Sequence, residues 1–368
     1  MNKNLKMPIN MKILKKILKS LLVIIAVPVV GFIGLIVYAK ISDYKPEEKE
    51  IISQSDNPSL LNDSLTFSFL TWNIGYAGLD KDMDFFKDGG TKVFTTEDNC
   101  RENIKGIEDF LLRNDTIDFI YIQEIDRDSK RSYHIDEYES ISKKLTGYKP
   151  FYAMNYDVFF VPAPPTRPYG KVVAGLATYS KFMPESSTRY SLPGDMGFPT
   201  QLFYLDRCFM VNRYKLSGGK ELVLINTHNE AFDKGGEIRK AQMAKLRDFV
   251  LNEFNAGNYV ITGGDWNQSP PDFKPVFSGN KGFTGQIGNF YLRGIESDYM
   301  PGEWKWIFDP STPSFRTLLA AYDLSTTPTS ICDIFLISPN IKSLSVKCHH
   351  LGFANSDHNP VIMQVKLR

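Results

Sequence analysis

A strand-rich α/β domain with buried sheets and outer helices, carried behind one N-terminal apolar segment, is the fold class this sequence predicts. Three observations predict it. Short continuous apolar runs recur from residue 65 onward, amphipathic helical patterns lie between them, and the N-terminal segment differs in kind from the rest. With 368 residues, 42% of them hydrophobic and 13% aromatic, the chain can bury a large core and is neither disordered nor fibrous.

Taken in order, residues 1–20 carry Lys3, Lys6, Lys12, Lys15, Lys16 and Lys19 with no acid. The run "LLVIIAVPVVGFIGLIVY" follows from Leu21 to Tyr38 without a charge. As a helix these residues rise about 27 Å, close to the hydrocarbon thickness of a bilayer. A cleavable signal peptide shares the basic-then-apolar pattern, but the run is long for a signal core and "VYAKISDY" is a poor small-residue cleavage site. The expectation is a retained single-pass anchor at 21–38 in the cell membrane, with a cytoplasmic N-terminus and everything after it extracytoplasmic. Residues 39–64, polar and proline-containing, are expected to form a stalk.

From residue 65 to 368 the domain proper is expected. Strand-like runs are "LTFSFLTWN" (65–73), "DFIYIQ" (118–123), "AGLATYS" (174–180), "LVLINTH" (222–228), "YVITGG" (259–264), "DIFLIS" (333–338) and "VIMQVK" (361–366). Between them, residues 99–113 place Ile104, Ile107, Phe110 and Leu111 on one stripe, and residues 236–254 do the same with Ile238, Met243, Leu246, Phe249 and Val250. No fixed-period repeat is visible.

Charge narrows the partners. Residues 1–42 hold seven lysines and no acid, so residues 43–368 carry 36 basic against 42 acidic groups, a balance of −6. Tight sequence-independent DNA binding needs a basic surplus, so nucleic acid is not favoured by charge, although a small basic cleft remains compatible with it. Cys100, Cys208, Cys332 and Cys348 show no CxxC and no histidine at metal spacing, which speaks against structural zinc and for buried thiols.

The polar residues at strand ends carry the chemistry. Asn73 ends the first run, Glu124 follows "IYIQ", His228 ends "LVLINTH", Asp265 and Asn267 follow "YVITGG", and Asp357-His358 precede the last strand. Glu124 and Asp357 are hard oxygen ligands suited to Mg²⁺ or Mn²⁺, which takes one or two carboxylates and leaves room for substrate phosphate. Asn73 and Asn267 can hold phosphate oxygens or a nucleophilic water without adding negative charge. His228 and His358 move protons near neutral pH, and Asp265 and Asp333 can orient an imidazole or a water. Together these residue types suit metal-assisted hydrolysis of a phosphate ester.

In order along the chain, "LTWNIGY", "IQEID", "INTHNEA", "GGDWNQ", "CDIFLIS" and "SDHNPV" resemble the motif series of the endonuclease/exonuclease/phosphatase superfamily, which includes DNase I-like nucleases, neutral sphingomyelinases and inositol-polyphosphate phosphatases. The resemblance covers about 65–368. It implies an α/β (α+β) four-layer αββα sandwich, two mixed sheets flanked by helices, with the active site at one edge and Mg²⁺-dependent phosphoester hydrolysis as the activity. Residue by residue it implies Glu124, Asn73 and Asp357 at the metal, His228 on the phosphate or leaving oxygen, and Asp265 with Asn267 positioning water and phosphate. His358 becomes the base and Asp333 the group that orients it. Asn229 stands where many relatives have leucine, and the absence of the tyrosine-bearing segment of the abasic-site endonucleases places the chain nearer the secreted and lipid-acting branches.

Weaker candidates are Lys130 and Arg131, which follow "IQEID" closely enough to bind phosphate, and Arg316, structural or substrate-facing. Trp72 and Trp266 are expected in the core, and His134 on the surface. Segment 283–308, aromatic-rich, is a substrate-selecting insertion or packs on the sandwich. The expected function is hydrolysis of a phosphodiester in nucleic acid, a phospholipid headgroup or a small molecule. A phosphomonoesterase of the inositol-phosphatase type and a non-catalytic binding module are the alternatives.

Overall fold

A computed structural model describes residues 11–62, 65–233, 235–279, 281–288 and 290–368. Residues 1–10 of the expected basic leader, and Asp63 and Ser64 of the expected stalk, lie outside the described residues.

Helix α1, Met11–Ser42, turns the apolar run outward: Leu22, Ile24, Val27 and Val30 are each exposed by nearly two thirds. A core helix of a soluble domain would bury such a stripe, whereas here only Ala39, near the C-terminal end, is buried.

After α1 the strands sort into two large sheets by a period-two rule. In Thr66–Asn73, Phe67 and Phe69 face one way and Leu70 and Trp72 the other; in Phe119–Asp126, Tyr121 opposes Ile120 and Ile122. The first sheet runs Ile341–Cys348, Val361–Leu367, Thr66–Asn73, Phe119–Asp126, Gly170–Ser180, Lys149–Val161, parallel only where Thr66–Asn73 meets Phe119–Asp126. The second runs Lys49–Gln54, Ser186–Ser191, Cys208–Leu216, Glu221–His228, Tyr259–Asp265, Asp333–Ile337, Lys305–Ile307. Its parallel pair along that path is Glu221–His228 with Tyr259–Asp265.

Both sheets pack face to face through Phe67, Phe69, Phe119 and Tyr121 on one side and Tyr214, Leu224, Ile261 and Phe335 on the other. Their outer faces are covered by helices. α2 (Glu97–Arg113) and α3 (Glu137–Lys144) bury Ile104, Ile107, Phe110 and Ile141 against Trp72, Ile120 and Ile122. α4 (Glu237–Asn255) buries Met243, Leu246 and Val250 against Val223, Ile225 and Val260. These are the four layers of an αββα sandwich. α2 starts where Thr96 accepts the Asn99 N–H at 3.2 Å, with Glu97 and Asp98 favourably placed at the positive end of the helix.

One feature differs from expectation. The stalk is partly sheet: Lys49–Gln54 pairs antiparallel with Ser186–Ser191, and Leu60–Leu61 pairs with Lys215–Leu216, burying Leu61. An edge strand with one half-buried face carries a weak apolar signal, so "KEIISQ" reads as polar linker. Segment 283–308, for its part, packs Phe283, Phe290, Leu292, Met300 and Trp304 inside. Of these, Phe290 also reaches the wall of the cleft described next.

Candidate active site

Sheet register assembles the centre. Asp265, the last residue of its strand, stands beside His228 in the parallel neighbour and beside Asp333 in the antiparallel one, so three strands place three functional side chains in one row. The row forms only because "GG" precedes Asp265. Gly264 has φ +145°, and a Cβ there would lie 1.9 Å from Thr227 O, a distance no side chain tolerates. On the facing sheet, Asn73 ends one strand, and Glu124 lies in a bulge where pairing with Gly170–Ser180 shifts between Ile122 and Ile125. Glu124 takes φ +51°, a left-handed conformation that turns its carboxylate out of the ladder and into the gap between the sheets.

The groups then meet. Asn73 Nδ2 donates to Glu124 Oε1 at 3.1 Å and to Asp265 Oδ2 at 3.0 Å, joining the two sheets through one amide. Asp265 Oδ1 accepts the Asn267 N–H at 2.8 Å, and Asn267 Nδ2 donates to Asn229 O at 2.9 Å. His228 Nε2 lies 3.5 Å from Asp265 Oδ2 and 3.8 Å from Glu124 Oε1. His358 Nδ1 is 2.8 Å from Asp333 Oδ2, which also accepts from Ser314 Oγ at 2.7 Å, and its Nε2 is 3.8 Å from Asp265 Oδ2. Both tryptophans are core residues that also fix this framework. Trp72 Nε1 donates to His358 O and Trp266 Nε1 to Ile334 O, each at 2.9 Å.

These groups open on a cleft of about 100 Å³ whose wall includes Glu124, His228, Asp265, Asn267, Asp357 and His358. Burial, reinforced by Arg207, lowers His228 to about 4, so it is neutral across the physiological range. Burial alone would raise Glu124 and Asp265, but facing His228 and Arg131 hold Glu124 below its ordinary value, and His358 and His228 do the same for Asp265. Asp357 goes the other way, to about 7, through burial and the neighbouring charge of Glu124. Burial works against a charged His358, yet Asp333, Asp265 and Asp357 together push it well above the ordinary imidazole range. An imidazolium donates, so His358 in this state offers a proton while Asp265 stands ionised beside it.

Several cleft residues escape the sequence motifs. Lys87, Asp88 and Arg207 line the wall with Tyr156 and Tyr169. Arg207 pairs with buried Glu230 at 3.3 Å and donates to His228 O at 3.5 Å, bracing the histidine from behind. The one sequence signal was an arginine directly before the apolar run "CFMV".

The weaker candidates separate. Arg131 reaches the cleft, held by Asp126 (Nη2–Oδ1 2.7 Å) and lying 3.8 Å above the Tyr76 ring. Lys130 is exposed and donates to Pro168 O at 3.0 Å. Arg316 is fully buried behind the site, donating to the carbonyls of Asp80, Met83, Thr317 and Ala320, and so acts as a structural staple. His134 is a surface residue on Asp128. All four cysteines are buried thiols.

Comparison with known proteins agrees with this architecture. No curated protein matches the sequence. Among solved structures, an endonuclease/exonuclease/phosphatase from Beutenbergia cavernae superposes with a TM-score of 0.50 at 15% identity, over 82% of this chain and 72% of that one. TDP2 from C. elegans gives 0.50 at 14% identity, over 83% and 76%. The human Nocturnin catalytic domain gives 0.48 at 17% identity, over 85% and 97%. At such identities the likeness is one of fold alone. The family model is more specific: the model of the Endonuclease/Exonuclease/phosphatase family matches residues 70–358, which is most of the chain and takes in every group of the centre from Asn73 to His358, and the protein belongs to that family.

Proposed function

We propose that the protein is a membrane-anchored, divalent-metal-dependent phosphodiesterase that cleaves its substrate by attack of water. The observation that carries this is the single cleft in which Glu124 and Asp357 stand beside a row of Asp265, His228 and the His358–Asp333 pair.

The carboxylates fit a hard cation. Asp357 rises to about 7 and Asp88 to about 6 because burial and nearby carboxylates penalise their charged forms, a penalty that a cation among them removes. Glu124 and Asp357, with Asn73 beside them, would hold Mg²⁺ or Mn²⁺, which when bound polarises phosphoryl oxygens and offsets the charge that builds there. Among the described residues, Asp265, Cys332, Asp333 and His358 also lie close enough to hold an ion. There, however, His358 Nδ1 is already engaged by Asp333 and burial keeps the Cys332 thiol protonated, so a histidine–carboxylate pair is the better account.

Asp265 Oδ2, free of the Asn267 contact, orients the water and accepts its proton, and Asn267 holds the adjacent phosphate oxygen. Neutral His228 and the charged His358 direct Nε2 toward the same space and stabilise oxygens that gain charge in the transition state. Lys87, Arg131 and Arg207 bring cationic groups into the wall beside its acids, Arg131 braced by Asp126 and Arg207 by Glu230.

A panel of DNA, RNA, sphingomyelin, phosphoinositides and nitrophenyl mono- and diesters, assayed with Mg²⁺ and with chelator, tests this. Chelator-sensitive diester turnover is expected; preference for monoesters would favour the inositol-phosphatase reading, and turnover of none of them would leave a binding module. The lysine bias before the apolar run 21–38 supports an extracytoplasmic domain. Protease added to intact cells, or to spheroplasts where an outer membrane intervenes, should then remove it. Protection equal to that of a cytosolic control would refute the orientation.

A further inference from the structure

We propose that the cleft acts on phosphodiesters embedded in the same bilayer that carries α1, so that its substrate class is an amphiphile with a phosphodiester headgroup. This rests on the phosphodiesterase reading above and on α1 as a membrane span.

Depth supports it first. The uncharged run ends at Tyr38, and aromatic rings at the end of a span settle at headgroup level. The Tyr38 ring meets Phe159 edge-on with centroids 4.4 Å apart, which brings the end of the strand Lys149–Val161 to the same level. Tyr156, three residues back along that strand, lines the catalytic cleft. Three residues of strand span about 10 Å, and each leaflet's headgroup layer is about 5–8 Å thick. The backbone of the cleft wall therefore lies no more than about 10 Å from the level of Phe159, within reach of a lipid phosphate that has not left its leaflet.

Shared construction supports it second. Asp43–Pro46, the residues directly after α1, line a cavity of about 250 Å³ together with Tyr204, Leu205 and Arg207. Leu205 and Arg207 also line the catalytic cleft from the other side, and Tyr156 Oη donates to Phe203 O at 3.0 Å. One short segment, 203–207, thus separates the chain leaving the membrane from the reaction site.

The surface supports it third. Phe198, a few residues before this segment, is 73% exposed, and half-buried Phe160 lies next to Phe159 with ring centroids 6.3 Å apart. Aromatic side chains around the exit of a membrane helix are placed to enter the interface rather than water. The bilayer that holds α1 is the one occupant continuous with this patch.

In the reaction the water oxygen forms a bond to phosphorus and one P–O ester bond breaks. The water proton passes to Asp265, the released alkoxide takes a proton from solvent, and the products are a phosphomonoester and an alcohol.

Full-length protein in phosphatidylcholine vesicles with Mg²⁺ tests the inference with two probes of equal chemistry. Hexadecyl 4-nitrophenyl phosphate shares the bilayer, and ethyl 4-nitrophenyl phosphate stays in solution. Confinement to one surface should favour the bilayer probe by at least about tenfold at equal total concentration. Because α1 alone still confines the enzyme to the vesicle, the double substitution Phe159→Ser, Phe198→Ser should lower the bilayer-probe rate by at least about threefold while leaving the soluble rate unchanged, which also shows an intact fold. In a second readout, Phe198→Trp fluorescence should be quenched by phosphatidylcholine brominated near the headgroup end of its chains. Equal rates on the two probes, a bilayer-probe rate unmoved by the double substitution, or no quenching would overturn the inference. Turnover of neither probe would instead remove the phosphodiesterase reading, and extraction of the protein by alkaline carbonate would remove the anchor.

Discussion

His358, in the cleft wall, and Asp333 behind it form a buried pair 2.8 Å apart, with Asp333 steadied by Ser314. Because Asp333 both aims the imidazole and keeps it charged, His358→Ala should lower kcat by about 10² or more. Asp333→Asn should also be severely impaired, and the double mutant should be little worse than His358→Ala, because residues acting as a unit lose their effect once. Multiplicative losses in steady-state kinetics would show that they work separately. Asp357 makes a different prediction. Its carboxyl, raised to about 7, holds a proton below that pH and must release it to ligate a cation. Mg²⁺ affinity should therefore fall by up to tenfold per pH unit below about 7 and level off above it, with proton release on binding at pH 6 and little at pH 8. Calorimetry in buffers of different ionisation enthalpy reads this directly; a pH-independent affinity would take Asp357 out of the ligand set.

At the scale of strands, function depends on two backbones approaching more closely than side chains allow. Gly264→Ala would press a Cβ onto Thr227 O at a φ that L residues rarely adopt, so the variant should lose at least about 3 kcal/mol, or fail to fold. A melting temperature within a degree or two of wild type would show that the register linking His228, Asp265 and Asp333 tolerates more than the geometry implies. Strand ends were also where the sequence was most legible. Strands buried on both faces read as continuous apolar runs, so Asn73, Glu124, His228 and Asp265 stand out as polar residues that interrupt them. Lys49–Gln54 was not legible, because an edge strand has little apolar pattern to show. Nor were Lys87 and Arg207, which enter the cleft from segments with no periodicity. Arg316 was ambiguous for a related reason: an arginine buried on four carbonyls and one facing a phosphate look alike in one dimension.

On the scale of the whole molecule, an apolar helix with exposed faces precedes an αββα sandwich, and the sandwich carries a net charge of −6 from residue 43 onward. Lys87, Arg131 and Arg207 stand in the cleft wall among its carboxylates and imidazoles. Such a distribution suits one phosphate held at one point better than a long polyanion laid across a surface. Everything then turns on whether the carboxylate at the bulge holds the cation on which the reaction depends. The most direct test is turnover of a soluble nitrophenyl phosphodiester at saturating Mg²⁺ by the wild type and by Glu124→Gln, with circular dichroism and melting temperature confirming that both are folded. Glu124→Gln keeps the size and the Asn73 contact but removes the charge a hard cation requires. The account predicts chelator-sensitive turnover in the wild type and none above background in the variant; near-wild-type turnover by Glu124→Gln would contradict it.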